Sequence, residues 1–217
     1  MGEAFGWLAD PANWTGPGGI PTRLVEHLGY SAVSLLIAAV IGIPLGLYVG
    51  HTGKGRFLVV NAVGAARAIP SLGLLMLAVL LVAPHITNDL AYVIPSIIVL
   101  VVLATPPILS GTYAGVDEVD PAARDAAKGM GMRGREVLAR VELPCAMPLI
   151  FSGLRSAMLQ LVATATIAST VSLGGLGRYL IDGLAQRDYG QMAGGAVLVG
   201  VLALLVDMVF ALVQRYA

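Results

Sequence analysis

Leu90 to Val116, LAYVIPSIIVLVVLATPPILSGTYAGV, is a stretch without a single charged side chain. A helix needs roughly 20 mostly apolar residues to cross about 30 Å of hydrocarbon, so this stretch predicts a membrane span. The whole chain agrees, because apolar types make up 57% of its 217 residues and charged types only 12%. Soluble domains contain roughly 25% charged residues. We therefore expect an integral membrane protein.

Further stretches of similar length and composition extend this prediction to the rest of the chain. The predicted fold is an all-α integral membrane protein with five transmembrane helices, in which residues 28–217 form the transmembrane domain and residues 1–27 an extracytoplasmic segment. Glu3 stands where a signal peptide would carry basic residues, so the first span is expected to be retained. The five predicted spans are 28–50, 57–83, 90–116, 144–170 and 192–213.

The basic residues predict the orientation of these spans. Of the 13 Lys and Arg residues, eight fall on one side, three on the other and two within spans. Since cytoplasmic loops are enriched in Lys and Arg, the N-terminus is predicted outside and the C-terminus in the cytoplasm. The formal net charge is zero, which gives no electrostatic basis for binding nucleic acid.

The polar connection, residues 117–143, joins the third and fourth predicted spans and is predicted to be cytoplasmic. Asp120 can cap a helix that begins at Pro121, and Gly129 and Gly131 are predicted to end it. A second short helix is predicted to begin near Gly134 and to end before Pro144.

The residues within this connection follow a recognisable spacing. The chain reads Asp125-Ala126-Ala127, three residues, Gly131, nine residues, and then Val141-Glu142-Leu143-Pro144. This resembles the cytoplasmic signature of ABC importer permeases, Glu-Ala-Ala-x3-Gly-x9-Ile-x-Leu-Pro, with Asp for Glu and Val for Ile. The resemblance implies coupling helices that dock in a groove of a separate ATP-hydrolysing subunit. The coupling residues that it implies are Asp125, Ala126, Ala127, Gly131, Val141, Leu143 and Pro144.

Three other segments resemble the osmoprotectant branch of that family. They are Asn13-Trp14-Thr15-Gly16-Pro17, Arg67-Ala68-Ile69-Pro70-Ser71-Leu72 and Ser172-Leu173-Gly174-Gly175-Leu176-Gly177. The resemblance implies import of glycine betaine, choline or carnitine, and it is greatest to actinobacterial ProZ-type permeases. The last two segments also resemble methionine and other amino-acid importers, which leaves that substrate class as an alternative.

The same resemblance implies the partners. They are a dimer of ATP-binding subunits, a second permease in a heterodimer or a homodimer, an extracytoplasmic substrate-binding protein and membrane lipid. ATP and Mg would be bound by the ATPase, and no cofactor or metal is expected on this chain. An extracytoplasmic segment from Ser172 to Gly190 is expected to contact the binding protein or to form a re-entrant gate.

Charged residues inside predicted spans are costly, so each one suggests a function. Arg67, Arg155 and Asp207 are predicted to lie at similar depths. We expect Asp207 to pair with Arg155 or Arg67 and to lock helices together; snorkelling to the interface or lining the substrate path are the alternatives.

Prolines are predicted to break two spans, at Ile69-Pro70-Ser71 and at Thr105-Pro106-Pro107. Broken helices often line cavities in membranes, so Pro70, Ser71, Thr105 and Pro106 are candidate pore residues, with kinked packing as the alternative. In span four we expect interhelical hydrogen bonds from five hydroxyl side chains. These are Ser156, Thr164, Thr166, Ser169 and Thr170.

Enzyme activity is not predicted. His27, His51 and His85 fall at span ends or in loops, and no Gly-x-Ser-x-Gly occurs, which disfavours an intramembrane hydrolase with a nucleophile and a base. Lys54 lacks the flanking residues of a phosphate-binding loop, so an ATPase must be a separate protein. The remaining alternative of another class is an ion-coupled carrier or channel that acts without an ATPase.

Overall fold

The structure is a computed structural model that describes residues 2–88 and 90–216, and within them all side chains but those of Val60, Ala62, Ala66, Arg67 and Tyr216. The described residues form helices and contain no strand, as predicted. The helices are α1 Gly2–Ala9, α2 Ile20–Thr52, α3 Arg56–Ala68, α4 Ser71–Val82, α5 Leu90–Asp117, α6 Pro121–Gly129, α7 Gly134–Val137, α8 Leu143–Ala168, α9 Gly177–Gln186 and α10 Tyr189–Tyr216.

Four helical stretches of the described chain are long and apolar enough to cross a membrane. They are Ile20–Thr52, Leu90–Asp117, Gly134–Val171 and Tyr189–Arg215. The predicted second span is instead divided between α3 and α4, which are each shorter. The count of five spanning helices therefore stays a prediction. The first of these stretches begins well before the predicted start at Leu28.

The division between α3 and α4 lies at the predicted proline. Ile69 and Pro70 both have extended backbone, with ψ angles of 123° and 116°. Proline has no N–H to donate and disfavours helical geometry in the residue before it, which explains the break. The structure thus contains the interruption that the sequence predicts at Pro70.

The predicted break at Thr105-Pro106-Pro107 is wrong, because α5 runs through these residues without interruption. The hydroxyl of Thr105 donates to the carbonyl of Val101 at 2.7 Å. In addition, α5 packs between α2 and α8 along its length. Tertiary packing on both sides supports α5 where the prolines remove two helical hydrogen bonds.

Close backbone approach holds α5 against its two neighbours. A Cβ atom on Gly46 of α2 would lie 2.6 Å from the Cβ of Thr112, and one on Gly111 would lie 2.9 Å from the Cα of Gly153 in α8. Small residues allow such approach between membrane helices. Leu100 of α5 is fully buried in the core that results.

The second helix of the polar connection does not end before Pro144, so that prediction is wrong. From Gly134 the chain stays helical through α7, a π-turn at Leu138–Glu142 and α8. The Leu143 N–H bonds to the carbonyl of Leu138, as the π-turn requires. Pro144, which has no N–H to donate, lies directly after this π-turn, where the regular α-helical hydrogen-bond pattern is already interrupted.

Candidate functional site

Helix α6 has the ends that its sequence predicts. The Asp120 carboxylate accepts a hydrogen bond from the Ala122 N–H at 2.8 Å, and Pro121 occupies the first turn. Beyond the helix, Gly131 has a φ of +87°, a left-handed conformation that glycine adopts without strain. A cap, a proline and a glycine therefore define one short helix between two longer ones.

The residues of the predicted coupling signature divide between an outer and an inner face. Asp125, Ala126 and Gly131 are exposed, whereas Ala127 is buried. Met130 is also exposed, to 73%, an unusual fraction for a large apolar side chain next to a polar helix. On the neighbouring segment, Val141 and Leu143 are half-buried, and Pro144 is exposed beside Cys145, the only cysteine of the sequence. The outer face of α6 is thus small, apolar in part and free of bulky polar groups except Asp125 and Lys128.

A buried carboxylate, Glu142, joins the elements around α6. Only 3% of its side chain is exposed. Its Oε1 lies 2.9 Å from Nε of Arg124 in α6, and its Oε2 lies 2.6 Å from Nδ1 of His51 at the end of α2. Arg124 also donates to the carbonyl of Val116 in α5. The sequence analysis missed this cluster, for which the one local signal is a carboxylate between Val141 and Leu143 at the start of a span.

A second, more exposed group of charges lies beside this cluster. Arg56, at the start of α3, has its guanidinium 3.5 Å from the Asp117 carboxylate and 5.6 Å from the centre of the Tyr113 ring. The Tyr113 hydroxyl donates to Asp117 at 3.3 Å. Because Arg56 and Asp117 are largely exposed, water screens this contact. The Arg56 side chain nevertheless joins the start of α3 to the end of α5.

Arg155 of α8 and Asp207 of α10 form an ion pair with two hydrogen bonds. Both the Nε–Oδ1 and the Nη2–Oδ2 distances are 2.6 Å. Each side chain is about one-third exposed. The partner of Asp207 is therefore Arg155, while the side chain of Arg67 lies outside the described residues. The helix-locking role of the pair stays a prediction.

The hydroxyl groups of α8 do not act as the sequence predicts. Ser156, Thr166 and Thr170 donate to carbonyls of their own helix, at 3.0, 3.0 and 2.8 Å. The expectation of interhelical bonds is therefore wrong for these three. Each carbonyl lies three or four residues earlier, a pattern by which Ser and Thr satisfy themselves locally. Ser169 instead donates to Gly174 in the following loop, and Thr164 is buried.

The exposed face of α8 differs in chemistry from that of α10. From Ser156 to the turn after α8 the exposed residues recur at helical spacing, and all but Ile167 are small or polar: Ser156, Gln160, Ala163, Ile167 and Thr170. On α10, between residues 197 and 213, the exposed large side chains are all apolar: Val197, Val201, Leu204, Leu205, Met208, Val209, Leu212 and Val213. The face of α10 suits lipid, whereas polar groups such as an amide on the face of α8 do not.

The four predicted pore residues lie on two helices. Pro70 is exposed and Ser71 half-buried at the start of α4, and Thr105 and Pro106 are half-buried within α5. Among the described residues no hydrogen bond or ion pair joins one pair to the other. Their role in a pore stays a prediction.

The loop between α8 and α9 is attached to the N-terminal part of α2. Oε2 of Glu26 accepts hydrogen bonds from the Gly175 N–H and from Arg23, both at 2.8 Å. Gly175 has a φ of +90°, and His27, fully buried beside it, contacts the Val162 carbonyl at 3.1 Å. The predicted outer segment is thus held in place by backbone contacts.

The N-terminal residues and α9 pack together at the same end. The rings of Trp7 and Tyr179 meet edge to face, with their centres 4.9 Å apart. The Tyr179 hydroxyl donates to the Gly18 carbonyl at 2.6 Å. Burial raises the pKa of this hydroxyl above its usual range, so the donor stays protonated at neutral pH.

Comparison with known proteins identifies the class of protein that this fold defines. Residues 42–217 match the family described as binding-protein-dependent transport system inner membrane component. The structure is also similar to a solved structure titled as inward-facing conformations of the MetNI methionine ABC transporter, with a TM-score of 0.78. That likeness covers 96% of this chain and 98% of the other at 24% identity, and it concerns the fold alone. The chain belongs to the family of binding-protein-dependent transport system inner membrane components.

Curated relatives narrow this class. The chain is 33% identical over 190 residues to the glycine betaine/carnitine/choline transport system permease protein OpuCB of Bacillus subtilis, covering 88% of this chain and 84% of the relative. It is 32% identical to the osmoprotectant import permease protein OsmW of Salmonella typhimurium, covering 84% of each. The prediction of an ABC permease with osmoprotectant relatives is confirmed. Such subunits lie in the membrane and have no ATPase of their own. They act with an ATP-binding subunit and a substrate-binding protein.

Proposed function

We propose that this chain is the permease subunit of an importer for a quaternary-amine osmoprotectant, and that α6 docks on the separate ATPase. The observation that carries the docking assignment is the outer face of α6. Asp125, Ala126 and Gly131 of the signature are exposed there, together with Met130. Small residues permit close approach, and an exposed methionine offers an adaptable apolar contact. The face therefore has the features of a groove-binding helix.

The proposed orientation follows from the same assignment. If α6 meets the ATPase, the polar connection is cytoplasmic, and the residues at the other end of α2 are extracytoplasmic. The distribution of Lys and Arg supports this arrangement. The N-terminus then lies outside, the C-terminus in the cytoplasm, and Ser172 to Gly190 on the side from which a binding protein would deliver substrate.

The exposed face of α8 supports a second permease, identical or not, as the neighbour in the membrane. Gln160 carries an amide group whose hydrogen bonds lipid cannot satisfy. Between two permeases this face would line an aqueous path. Labelling with a water-soluble maleimide tests this in a Cys145→Ser background: Ala163→Cys should react in the assembled complex and the lipid-facing control Leu204→Cys should not. Equal protection of both would contradict the path.

The proposed substrate class rests on the relatives. One is the glycine betaine/carnitine/choline transport system permease protein OpuCB, and another is the choline transport system permease protein OpuBB, both of Bacillus subtilis. All three molecules contain a trimethylammonium group. Methionine remains the alternative substrate, since a methionine importer shares the fold. The likeness to ProZ-type permeases stays a prediction.

Reconstitution with the ATPase, second permease and binding protein tests the proposed function. ATP-dependent uptake of radiolabelled choline, carnitine or glycine betaine, but not methionine, is the expected result. Ala126→Arg should abolish retention of the ATPase and reduce uptake about tenfold or more, a change of at least about 1.4 kcal/mol in docking. Ala12→Arg, the same change at an exposed residue near the N-terminus, is the matched control. Uptake by this chain without an ATPase would contradict the proposal and establish a carrier.

A further inference from the structure

The Glu142 side chain contacts residues from two other helices. The carboxylate is almost fully buried, and its two oxygens face different partners. Nε of Arg124 lies 2.9 Å from one oxygen, and Nδ1 of His51 lies 2.6 Å from the other. The Arg124 contact is an ion pair without hydrogen-bond geometry at Nε, whereas the His51 contact is at hydrogen-bond distance. Since a buried carboxylate must be paired to be tolerated, these two contacts restrict the movement of Glu142.

The partners belong to separate helices. Arg124 lies in α6, His51 in the last turn of α2, and Glu142 in the π-turn that leads into α8. Through Nη2, Arg124 also donates to the Val116 carbonyl in the last turn of α5. One carboxylate and one guanidinium thus link the short helix to the ends of three long ones.

The π-turn determines where Glu142 points. An α-helix advances about 100° per residue, so the additional residue of the turn rotates every later side chain by roughly that angle. In the structure Glu142 faces α2 and α6, while Pro144 and Cys145 just beyond it are exposed. A regular α-helix from Gly134 would direct the carboxylate elsewhere. Turns of this kind occur frequently at functional positions.

We propose that Glu142 is the positioning residue of a joint that makes α6 move together with α2, α5 and α8. The inference rests on the proposed function, in which α6 docks on the ATPase. A displacement of α6 by the ATPase then reaches three long helices at once, because their ends share the Arg124–Glu142–His51 contacts. Without the joint, α6 would still bind the ATPase, but its motion would reach the long helices only through the short links on either side.

The experiment measures substrate transported per ATP hydrolysed by the complete complex in proteoliposomes. With Glu142→Ala we expect the ATPase subunit to remain bound and to hydrolyse ATP, while transport per ATP falls about fivefold or more, within the usual range of coupling between sites. Glu142→Gln keeps an acceptor for Arg124 and should lose less. Glu136→Gln is the matched control, since it removes the same charge from an exposed segment and retains an acceptor for the Arg133 N–H.

A stability role alone predicts a different result. If Glu142→Ala only weakened folding, the amount of complex would fall and transport per ATP in the remaining complex would not change, which would overturn the proposal. Should Glu142→Ala fail to assemble, His51→Ala removes only the link to α2, at a partly exposed residue. An assembled His51→Ala complex with an unchanged ratio would equally overturn it. Failure of the proposed function is distinct, because the unmodified complex would then show no ATP-dependent uptake.

Discussion

The two ends of α2 are attached to the rest of the molecule by different means. At its C-terminal end, His51 contacts Glu142, which is buried and also paired with Arg124. At its N-terminal end, Glu26 is one-third exposed and accepts from the Gly175 backbone and from Arg23 of its own helix. The first attachment depends on a buried charge, and the second does not.

Other contacts strengthen the N-terminal end independently of Glu26. The Tyr179 hydroxyl donates to Gly18, and its ring packs on Trp7. His27 contacts the Val162 carbonyl from a fully buried position. Removing one of several separate contacts costs less than removing one partner of a buried charge. We therefore expect single substitutions to affect the end near Glu142 most.

The largest effect is expected for Arg124→Ala. This change leaves the buried Glu142 carboxylate with His51 alone, and breaking a buried ion pair destabilises a protein by about 3 kcal/mol or more. Trypsin cleavage within residues 117–143 and thermal unfolding in detergent would measure it. The double variant Arg124→Ala, Glu142→Ala removes the unpaired charge and should be more stable than Arg124→Ala. A double variant less stable than the single one would contradict the buried-charge account.

The next largest effect is expected for the ion pair of Arg155 in α8 with Asp207 in α10. Arg155→Asp and Asp207→Arg should each reduce the amount of assembled protein several-fold, because each places two like charges beside one another. The combined exchange restores opposite charges and should recover most of the loss. Immunoblots of membranes, with uptake as a second measurement, would follow it. Recovery of neither quantity would count against a locking role for the pair.

At the N-terminal end, Gly175→Ala should have a moderate effect. The residue has a φ of +90°, and a Cβ atom there would lie 3.0 Å from Nδ1 of His27. Left-handed backbone costs a residue with a side chain about 1–2 kcal/mol, and the contact adds to that. Thermal unfolding measures the change. Gly18→Ala is the control, since an added methyl group there meets no atom within 4 Å; equal loss in both variants would refute the strain argument.

The smallest effect is expected for Tyr179→Phe. Loss of the hydrogen bond to Gly18 should cost about 1 kcal/mol near neutral pH. Burial raises the pKa of Tyr179 in the folded protein. The stabilisation linked to this group is therefore fully present below the usual tyrosine pKa of about 10 and is lost as the pH rises through the higher folded value. Unfolding temperatures recorded between pH 8 and 11 should thus converge for the two proteins, and a constant difference would contradict this assignment.

Local chemistry explains which features the sequence could predict. The cap at Asp120, the turn at Gly131 and the break at Pro70 depend on one or two residues each, and all three are present. The break at Pro106 was wrong because α2 and α8 support α5 there, which no local pattern reveals. The length of the apolar stretches predicted the long helices, but it could not distinguish one span from the two shorter helices α3 and α4.

The candidate site was predictable only in its outer part. The spacing from Asp125 to Pro144 predicted where a docking helix would lie, because its members are close in sequence. The contact of His51 with Glu142 joins residues 91 positions apart, and the orientation of Glu142 depends on a π-turn. The Ser and Thr residues of span four predict hydrogen bonds between helices, but the hydroxyls of Ser156 and Thr166 bond within their own helix. Only a fold shows which face of α8 is left uncovered.

Cys145 gives the molecule a natural observation point. It is the sole thiol of the chain and it is exposed. It lies three residues after Glu142, the last residue of the π-turn. A fluorescent dye attached there, with an energy-transfer acceptor on the ATPase, would report the distance between motor and membrane helix during each cycle. Within this chain, therefore, a single label can be placed without adding or removing any cysteine.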